Sequence, residues 1–157
     1  MKRLFIASVV LFLSGAQPAE VTPEQEAKNL EGVWKEVSRE YQGEKVPKKF
    51  VEKSKLIFRA DGKLTMIDGF KVERIFEIDP TKKPKTIDII DTITKTDKNG
   101  KATKVELVNV GIYELDGDKL TICYVRSDGP KAGQRPKELK TKAKSGSFLS
   151  VYQREKL

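Results

Sequence analysis

Hydrophobic and polar residues alternate along most of the chain from Gly32 onward, with the period of two that is typical of β-strands. Short clusters rich in glycine, aspartate and asparagine interrupt the alternation, as turns do. The pattern predicts eight strands, at residues 33–41, 55–59, 63–68, 70–78, 86–95, 103–115, 119–125 and 147–154. Asp61-Gly62 and Asp116-Gly117 predict tight hairpins, because glycine readily adopts the positive φ that such turns require.

Eight consecutive strands with short connections predict an all-β, antiparallel, up-and-down arrangement. A sheet of this size either leaves two exposed edges or closes on itself, and closure removes the edges. We therefore predict an eight-stranded lipocalin-like barrel over residues 30–157. A β-sandwich is the alternative, because periodicity alone does not separate the two architectures.

Two short segments have the pattern of helices instead. Residues 17–29 are predicted to form a linker and a short helix, since Thr22 provides an N-cap and Pro23 suits the first helical position. Residues 47–53 predict a second short helix that packs Phe50 and Val51 against the core. We expect this segment to form a lid near the open end of the barrel.

The first sixteen residues have the three parts of a secretory signal peptide. A basic head at Lys2-Arg3 precedes an apolar run from Leu4 to Leu13, and Ser14-Gly15-Ala16 provides small residues for cleavage after Ala16. The run is shorter than the ~20 residues that span a bilayer. The sequence therefore predicts export to the periplasm or the medium, with no transmembrane segment in the mature chain.

Composition restricts the chemistry that the chain can perform. It has no histidine, which excludes Ser-His-Asp and Cys-His catalysis and histidine-ligated metals. The only cysteine, Cys123, lies within an apolar strand, where a buried role is expected. We predict no cofactor, no metal site and no catalytic residues.

The net charge is +8, and it falls to +6 when Lys2 and Arg3 leave with the signal peptide. Most of the basic residues are lysines in predicted loops, without interleaved aromatics, so we predict a solvated surface and no nucleic-acid partner. Contact with an anionic envelope surface is the alternative interpretation of this charge.

The inward faces of the predicted strands carry a few polar residues. In a closed barrel every second residue of a strand faces the interior, and this alternation places Arg74, Asp91 and Asn109 on otherwise apolar faces of three successive strands. We predict a mostly apolar cavity in which polar groups orient a ligand. Its predicted binding residues are Arg74, Asp91, Asn109, Tyr113, Tyr124 and Tyr152. The alternative is that Arg74 and Asp91 form only a structural ion pair.

Gly32-Val33-Trp34, at the start of the first strand, resembles the G-x-W signature of the lipocalins, and Arg154 ends the last strand. In that family an arginine of the last strand packs over the tryptophan and seals one end of the barrel. The resemblance implies that Trp34 and Arg154 form a cation–π pair that closes the barrel.

A wider set of motifs extends this resemblance over almost the whole mature chain. The set consists of Asp79-Pro80-Thr81-Lys82-Lys83-Pro84-Lys85, Gly111-Ile112-Tyr113, Asp116-Gly117-Asp118-Lys119-Leu120, Cys123-Tyr124, Arg135-Pro136 and the terminal Arg154. It is similar to a lipocalin-like family of exported proteins abundant in planctomycete bacteria, for which no activity is established. The similarity implies a fold and no ligand class, because the chain lacks the disulfide and the Thr-Asp-Tyr turn of typical lipocalins.

Three functions remain open from the sequence. The first is an exported binding protein that takes a small apolar or amphipathic ligand into the barrel. The second is a structural or interaction module of the cell envelope, in which side chains fill the barrel. The third and least favoured is an enzyme that uses carboxylates, lysine or Cys123. Arg135, in the long basic loop, is expected to bind backbone carbonyls and fix that loop to the barrel.

Overall fold

A computed structural model describes residues 21–129 and 131–156 of the chain. The signal peptide predicted at residues 1–16, with the first part of the linker, lies outside the described residues. The described residues form α1 (Pro23–Leu30), β1 (Gly32–Tyr41), β2 (Glu44–Lys45), α2 (Lys48–Val51), β3 (Lys55–Phe58), β4 (Lys63–Ile67), β5 (Lys71–Asp79), β6 (Lys85–Thr96), β7 (Ala102–Asp116), β8 (Lys119–Val125) and β9 (Ser147–Arg154).

Eight of these strands close into an antiparallel up-and-down barrel. β1 pairs with β3 on one side and with β9 on the other, and each later strand pairs with the next. β2 adds only two residues, Glu44 and Lys45, beside the end of β1. The prediction of an all-β barrel is therefore confirmed, and the β-sandwich alternative is wrong because a single sheet closes on itself.

Helix α1 covers one end of the barrel, which we call the closed end. Thr22 caps the helix, since its Oγ1 accepts a hydrogen bond from the backbone N–H of Gln25 at 3.2 Å. Leu30, at the other end of the helix, is fully buried in the core beside Trp34. The indole N–H of Trp34 donates to the carbonyl of Leu30 at 2.7 Å, so the first strand and the helix are joined where the chain passes between them.

A charged cluster buried beneath α1 joins this helix to the barrel wall. Glu26 is 2% exposed and accepts hydrogen bonds from Lys85 Nζ at 2.5 Å and from the Tyr113 hydroxyl at 3.1 Å. Burial alone would raise the pKa of Glu26, but the hydrogen bonds from Lys85 and Asn29 lower it below the ordinary value. Burial and the Glu26 carboxylate raise the pKa of Tyr113, which therefore stays a neutral donor.

The opposite end of the barrel, the open end, carries a projecting hairpin. β6 and β7 pair with each other from Lys85 and Tyr113 out to Thr96 and Ala102. β5 follows β6 only as far as Ile90, and β8 pairs with β7 only from Val110. Residues 91–96 and 102–109 thus form a two-stranded ribbon whose outer edges have no strand partner within the described residues.

The segment between β8 and β9 lies on the outer face of the barrel. Arg135 donates hydrogen bonds to the backbone carbonyls of Gly111 at 2.6 Å and Ile87 at 3.3 Å, and it pairs with Asp88. These bonds confirm the expected role of Arg135. Under this segment Cys123 is fully buried, with its Sγ 3.7 Å from the carbonyl oxygen of Lys140.

Candidate functional site

The open end of the barrel contains a cavity of about 290 Å³. Its lining residues come from seven strands and from the turns at this end, and they are Leu56, Met66, Phe70, Arg74, Ile89, Asp91, Leu107, Asn109, Ile122, Tyr124, Arg126, Ser127, Asp128 and Tyr152. Leu56, Ile89 and Ile122 are buried and form an apolar floor. The closed half beneath them is filled by core side chains, including Trp34 and Phe58.

Strand register explains why the polar residues converge here. Ile89 pairs with both Phe76 and Asn109, so the inward-facing residues of β5, β6 and β7 lie side by side in the sheet. The alternation of side chains along each strand then places Arg74, Asp91 and Asn109 on the same side of the sheet. Five of the six residues named from the sequence, all except Tyr113, line this cavity.

Tyr113 is not at the site, which corrects the sequence interpretation. It shares the inward face of β7 with Asn109, but it lies at the closed end, where its hydroxyl donates to Glu26. The alternation of residues predicts which face a side chain occupies and not its height along the barrel axis. Tyr113 is therefore part of the core beneath α1.

Arg74 and Asp91 form an ion pair within the cavity wall. Nη2 of Arg74 lies 3.1 Å from Oδ2 of Asp91, and Nη1 lies 3.6 Å from Sδ of Met66. About a fifth to a quarter of each charged side chain is exposed, at 21% and 26%. Nε of Arg74 is buried and has no hydrogen-bond partner in the described part of the chain. The two charges offset each other, but Nε of Arg74 remains a hydrogen-bond donor without a partner among the described residues.

Asn109 links the cavity to the segment that follows β8. Its Oδ1 accepts a hydrogen bond from the backbone N–H of Ser127 at 2.8 Å. None of the hydrogen bonds among the described residues comes from its Nδ2, which leaves two donor hydrogens on a side chain that lines the cavity.

A second ion pair stands at the mouth. Arg126 donates to both oxygens of Asp128, from Nε at 2.9 Å and from Nη2 at 2.7 Å. This bidentate contact lowers the pKa of Asp128 and raises that of Arg126. Phe70, in the turn between β4 and β5, completes the mouth and is 73% exposed.

Two tyrosines, Tyr124 and Tyr152, belong to the lining of the cavity. Burial raises the pKa of Tyr124 to about 12, and burial together with the Glu36 carboxylate raises that of Tyr152 well above its ordinary value. Both phenols are therefore neutral hydrogen-bonding groups at neutral pH. The ring of Tyr124 stacks on Phe148 with 5.3 Å between centroids, which fixes its orientation.

The structure also reveals a buried charged cluster that the sequence analysis missed. Glu36 is 1% exposed and receives two hydrogen bonds from Arg39, at 2.9 and 2.6 Å. Arg39 reaches Ser54 and Asp68 as well, each at 3.0 Å. Burial alone would lower the pKa of Arg39, but the hydrogen bonds and the negative charge of Glu36 raise that pKa above its ordinary value. A bulge between Glu36 and Ser38 shifts the alternation, so simple period-two analysis does not pair these residues.

The lid expected from residues 47–53 is not part of the cavity. None of these residues lines it; instead Lys48, Val51 and Glu52 line a shallow groove with Lys35 and Val37 of β1. Val51 is buried as expected, whereas Phe50 is 56% exposed and does not pack on the core. The segment lies instead at the side of the barrel, where α2 contacts β1 and the backbone N–H of Glu36 donates to the carbonyl of Ser54 at 2.9 Å.

Trp34 and Arg154 meet at the closed end, away from the cavity. The guanidinium carbon of Arg154 lies 4.1 Å from the centroid of the Trp34 ring. The same guanidinium donates to the carbonyls of Glu31 at 2.5 Å and Asn29 at 2.7 Å, and to Asp118 at 3.1 Å. It thus binds the last turn of α1, β9 and the hairpin between β7 and β8 together.

Two other observations bear on chemistry. Burial raises the pKa of Cys123 to about 11, so its thiol is neutral and covered. Among residues 21–129 and 131–156, no group of three His, Cys, Asp or Glu side chains is placed to hold a metal ion. The helices in this part of the chain are too short and too polar to cross a membrane.

A second hollow of about 320 Å³ lies beneath the segment between β8 and β9. Its lining is predominantly basic, and the charged residues in it are Lys131, Arg135, Lys137, Glu138, Lys140 and Lys142. Glu138 pairs with Lys140 and Lys142, which leaves an excess of positive charge on this face.

Comparisons of the chain with protein-family models, with curated proteins and with solved structures find no match.

Proposed function

We propose that this protein is an exported, non-enzymatic binding protein that holds a small, partly apolar ligand in the open half of its barrel. The observation that carries the proposal is the cavity of about 290 Å³, with an apolar floor and a ring of polar side chains above it. Ligand sites combine these two features, because apolar walls provide affinity and a few polar groups provide orientation.

The division of the barrel into two halves supports this proposal. An eight-stranded barrel is narrow enough for side chains to fill it completely. Here core side chains fill the closed half, whereas the open half contains the cavity. Arg74, Asp91, Asn109, Tyr124 and Tyr152 are the residues that we assign to ligand contact.

Native mass spectrometry of the protein purified from its own host tests this function directly. We expect a complex heavier than the apo chain, which loses a small molecule on denaturing extraction. A single apo mass, together with no response from environment-sensitive apolar dyes, would count against ligand binding. The same spectrum measures the amino terminus, and a mature chain that begins at Gln17 is the result expected for export with cleavage after Ala16.

A second candidate function is an interaction module of the cell envelope, favoured by the basic hollow beneath the segment between β8 and β9. Such a face would attract polyanionic glycans or anionic lipid through screened electrostatics. Cosedimentation with host envelope fragments at low and high salt separates the two functions. Salt-sensitive binding that a Lys137→Gln/Lys142→Gln variant loses would favour the envelope module.

A further inference from the structure

Every charged side chain that lines the cavity has an opposite charge beside it. Arg74 pairs with Asp91 at 3.1 Å, and Arg126 pairs with Asp128 at 2.7 Å. The lining therefore contains two positive and two negative groups and has no net charge.

An anionic ligand would meet an unfavourable environment in this cavity. A carboxylate only accepts hydrogen bonds. Arg74 keeps unused donors, but its charge is already offset by Asp91, so a bound carboxylate would place two negative charges beside one positive charge. The buried Glu36 carboxylate adds negative potential, which also contributes to the raised pKa of Tyr152. Arg39 offsets that potential in part, but it is itself shared between Glu36 and Asp68. A cationic ligand would likewise place a second positive charge beside Arg74 or Arg126, whose aspartates are already neutralised.

A neutral polar group fits the unused hydrogen-bonding positions. Nδ2 of Asn109 can donate, and Oδ1 of Asp91 receives no hydrogen bond from the described residues. The hydroxyl of Tyr124, which also lines the cavity, can donate or accept, whereas the hydroxyl of Tyr152 already interacts with Ser150. A group with both a donor and an acceptor, such as a primary amide or a hydroxyl, matches this arrangement.

We propose, resting on the proposed binding function, that the ligand is an uncharged amphipathic molecule with a donor-and-acceptor polar end. Its apolar end lies on the floor formed by Leu56, Ile89 and Ile122, and its polar end lies among Asp91, Asn109 and Tyr124. A volume of about 290 Å³ holds about ten water-sized groups at ~30 Å³ each, so a longer molecule extends past Phe70 into solvent.

Isothermal titration calorimetry with octanamide and octanoate at pH 7 tests this inference. The two molecules have the same shape and about ten non-hydrogen atoms each, but only octanoate is charged at this pH. We expect octanamide to bind the wild-type protein about tenfold more tightly or better, a difference of ~1.4 kcal/mol or more.

Three variants test whether a preference for octanamide over octanoate depends on the charges in the cavity. Asp91→Asn leaves Arg74 without its counter-ion, so the preference should shift toward octanoate by about tenfold. Arg74→Gln/Asp91→Asn restores a neutral lining and should restore the preference for octanamide. Glu106→Gln removes the same unit of charge from the exposed outer face of β7, next to Leu107, and should behave as the wild type.

The outcomes separate this inference from the proposed function. If octanoate binds the wild-type protein as tightly as octanamide, the inference is overturned and the binding function stands. An unchanged preference in Asp91→Asn would also overturn it. If neither molecule binds, the inference fails, and mass spectrometry of the host-purified protein decides the proposed function separately.

Discussion

At the scale of single residues, Arg154 connects three separate parts of the chain, which are α1, β1 and the hairpin between β7 and β8. It stacks on Trp34 and donates to carbonyls at the end of α1 and to Asp118. The geometry also explains Gly32, which has φ +128°, and a Cβ there would lie 3.1 Å from Nη1 of Arg154. Gly32 is thus favoured chiefly by its positive φ, and the guanidinium that stacks on Trp34 leaves little room for a Cβ there.

Replacing Arg154 by lysine should destabilise the fold by about 2–3 kcal/mol, because a single ammonium cannot make the three forked hydrogen bonds or stack on the indole ring. Urea unfolding followed by Trp34 fluorescence measures the loss. Lys156→Ala is the matched control, since Lys156 is 84% exposed and only approaches Asp118 at 3.7 Å. Equal stabilities of Arg154→Lys and wild type would contradict this role of the guanidinium.

The inward positions of Arg74, Asp91 and Asn109 were predictable from the sequence because strands β5 to β7 are regular and a period of two fixes each face. The cluster of Glu36 and Arg39 was not, because the bulge in β1 changes the alternation between them. The position of Tyr113 was also missed, since nothing in a strand pattern states which end of the barrel a helix covers. Backbone irregularity and helix docking, both set by tertiary packing, account for these differences.

At the scale of elements, Arg135 holds the middle of the segment between β8 and β9 on the barrel, while Thr141 and Lys144 bond its later part to the turn after β1. Arg135→Ala removes the hydrogen bonds to Gly111 and Ile87 and should let this segment open more often. Cys123, buried beneath it with a pKa of about 11, then becomes accessible. We expect its reaction with an aromatic disulfide reagent at pH 8 to accelerate by roughly thirtyfold, which corresponds to about 2 kcal/mol of lost bonding.

Lys131→Ala is the control for this experiment, because Lys131 lies on the same segment and makes no ion pair within the described residues. If Cys123 reacts equally slowly in wild type and Arg135→Ala, then the packing of the whole segment, and not Arg135, covers the thiol.

Helix α1 depends on Glu26 in a way that varies with pH. The folded protein lowers the pKa of Glu26, so the stabilisation is fully present above the ordinary value of 4.5 and is lost as the pH falls through the folded pKa. Glu26→Gln should therefore cost about 2 kcal/mol at pH 7, and the cost should shrink as the pH is lowered.

Denaturant unfolding of Glu26→Gln and wild type from pH 7 to pH 3 measures this change. Glu24→Gln provides the control, since Glu24 is an exposed acid in the first turn of the same helix. A cost for Glu26→Gln that stays constant with pH would show that the stabilisation does not come from the ionised carboxylate.

At the scale of the whole molecule, stability should be unequal between the barrel and the ribbon of β6 and β7. A two-stranded hairpin alone is marginally stable in water, and residues 92–96 and 102–106 pair only with each other. We expect their amides to exchange with deuterium at least about a hundredfold faster than those of Ile112 and Ile122. Hydrogen exchange followed by NMR measures this, and strong protection of the ribbon would mean that another surface covers it.

The architecture as a whole was largely predictable, because eight amphipathic strands with short turns leave few ways to bury one face without exposing edges. The number of barrel strands, their order and the capped helix before them all follow from that pattern. The extension of β6 and β7 beyond β5 and β8 could not be predicted from the sequence. The length of a predicted strand does not show how many of its residues pair with each neighbouring strand.

The ribbon also has a consequence for how copies of this chain behave at high concentration. Its two outer edges present backbone N–H and C=O groups that a second chain could pair with, which is how aggregation through sheet edges begins. The segment 92–106 carries Lys95, Lys98, Lys101 and Lys104 against only Asp97 and Glu106, a net charge of +2. Two such ribbons repel each other when they approach edge to edge. This protection weakens as the Debye length falls from ~10 Å at 0.1 M to ~3 Å at 1 M salt, so colloidal stability of the protein decreases with ionic strength.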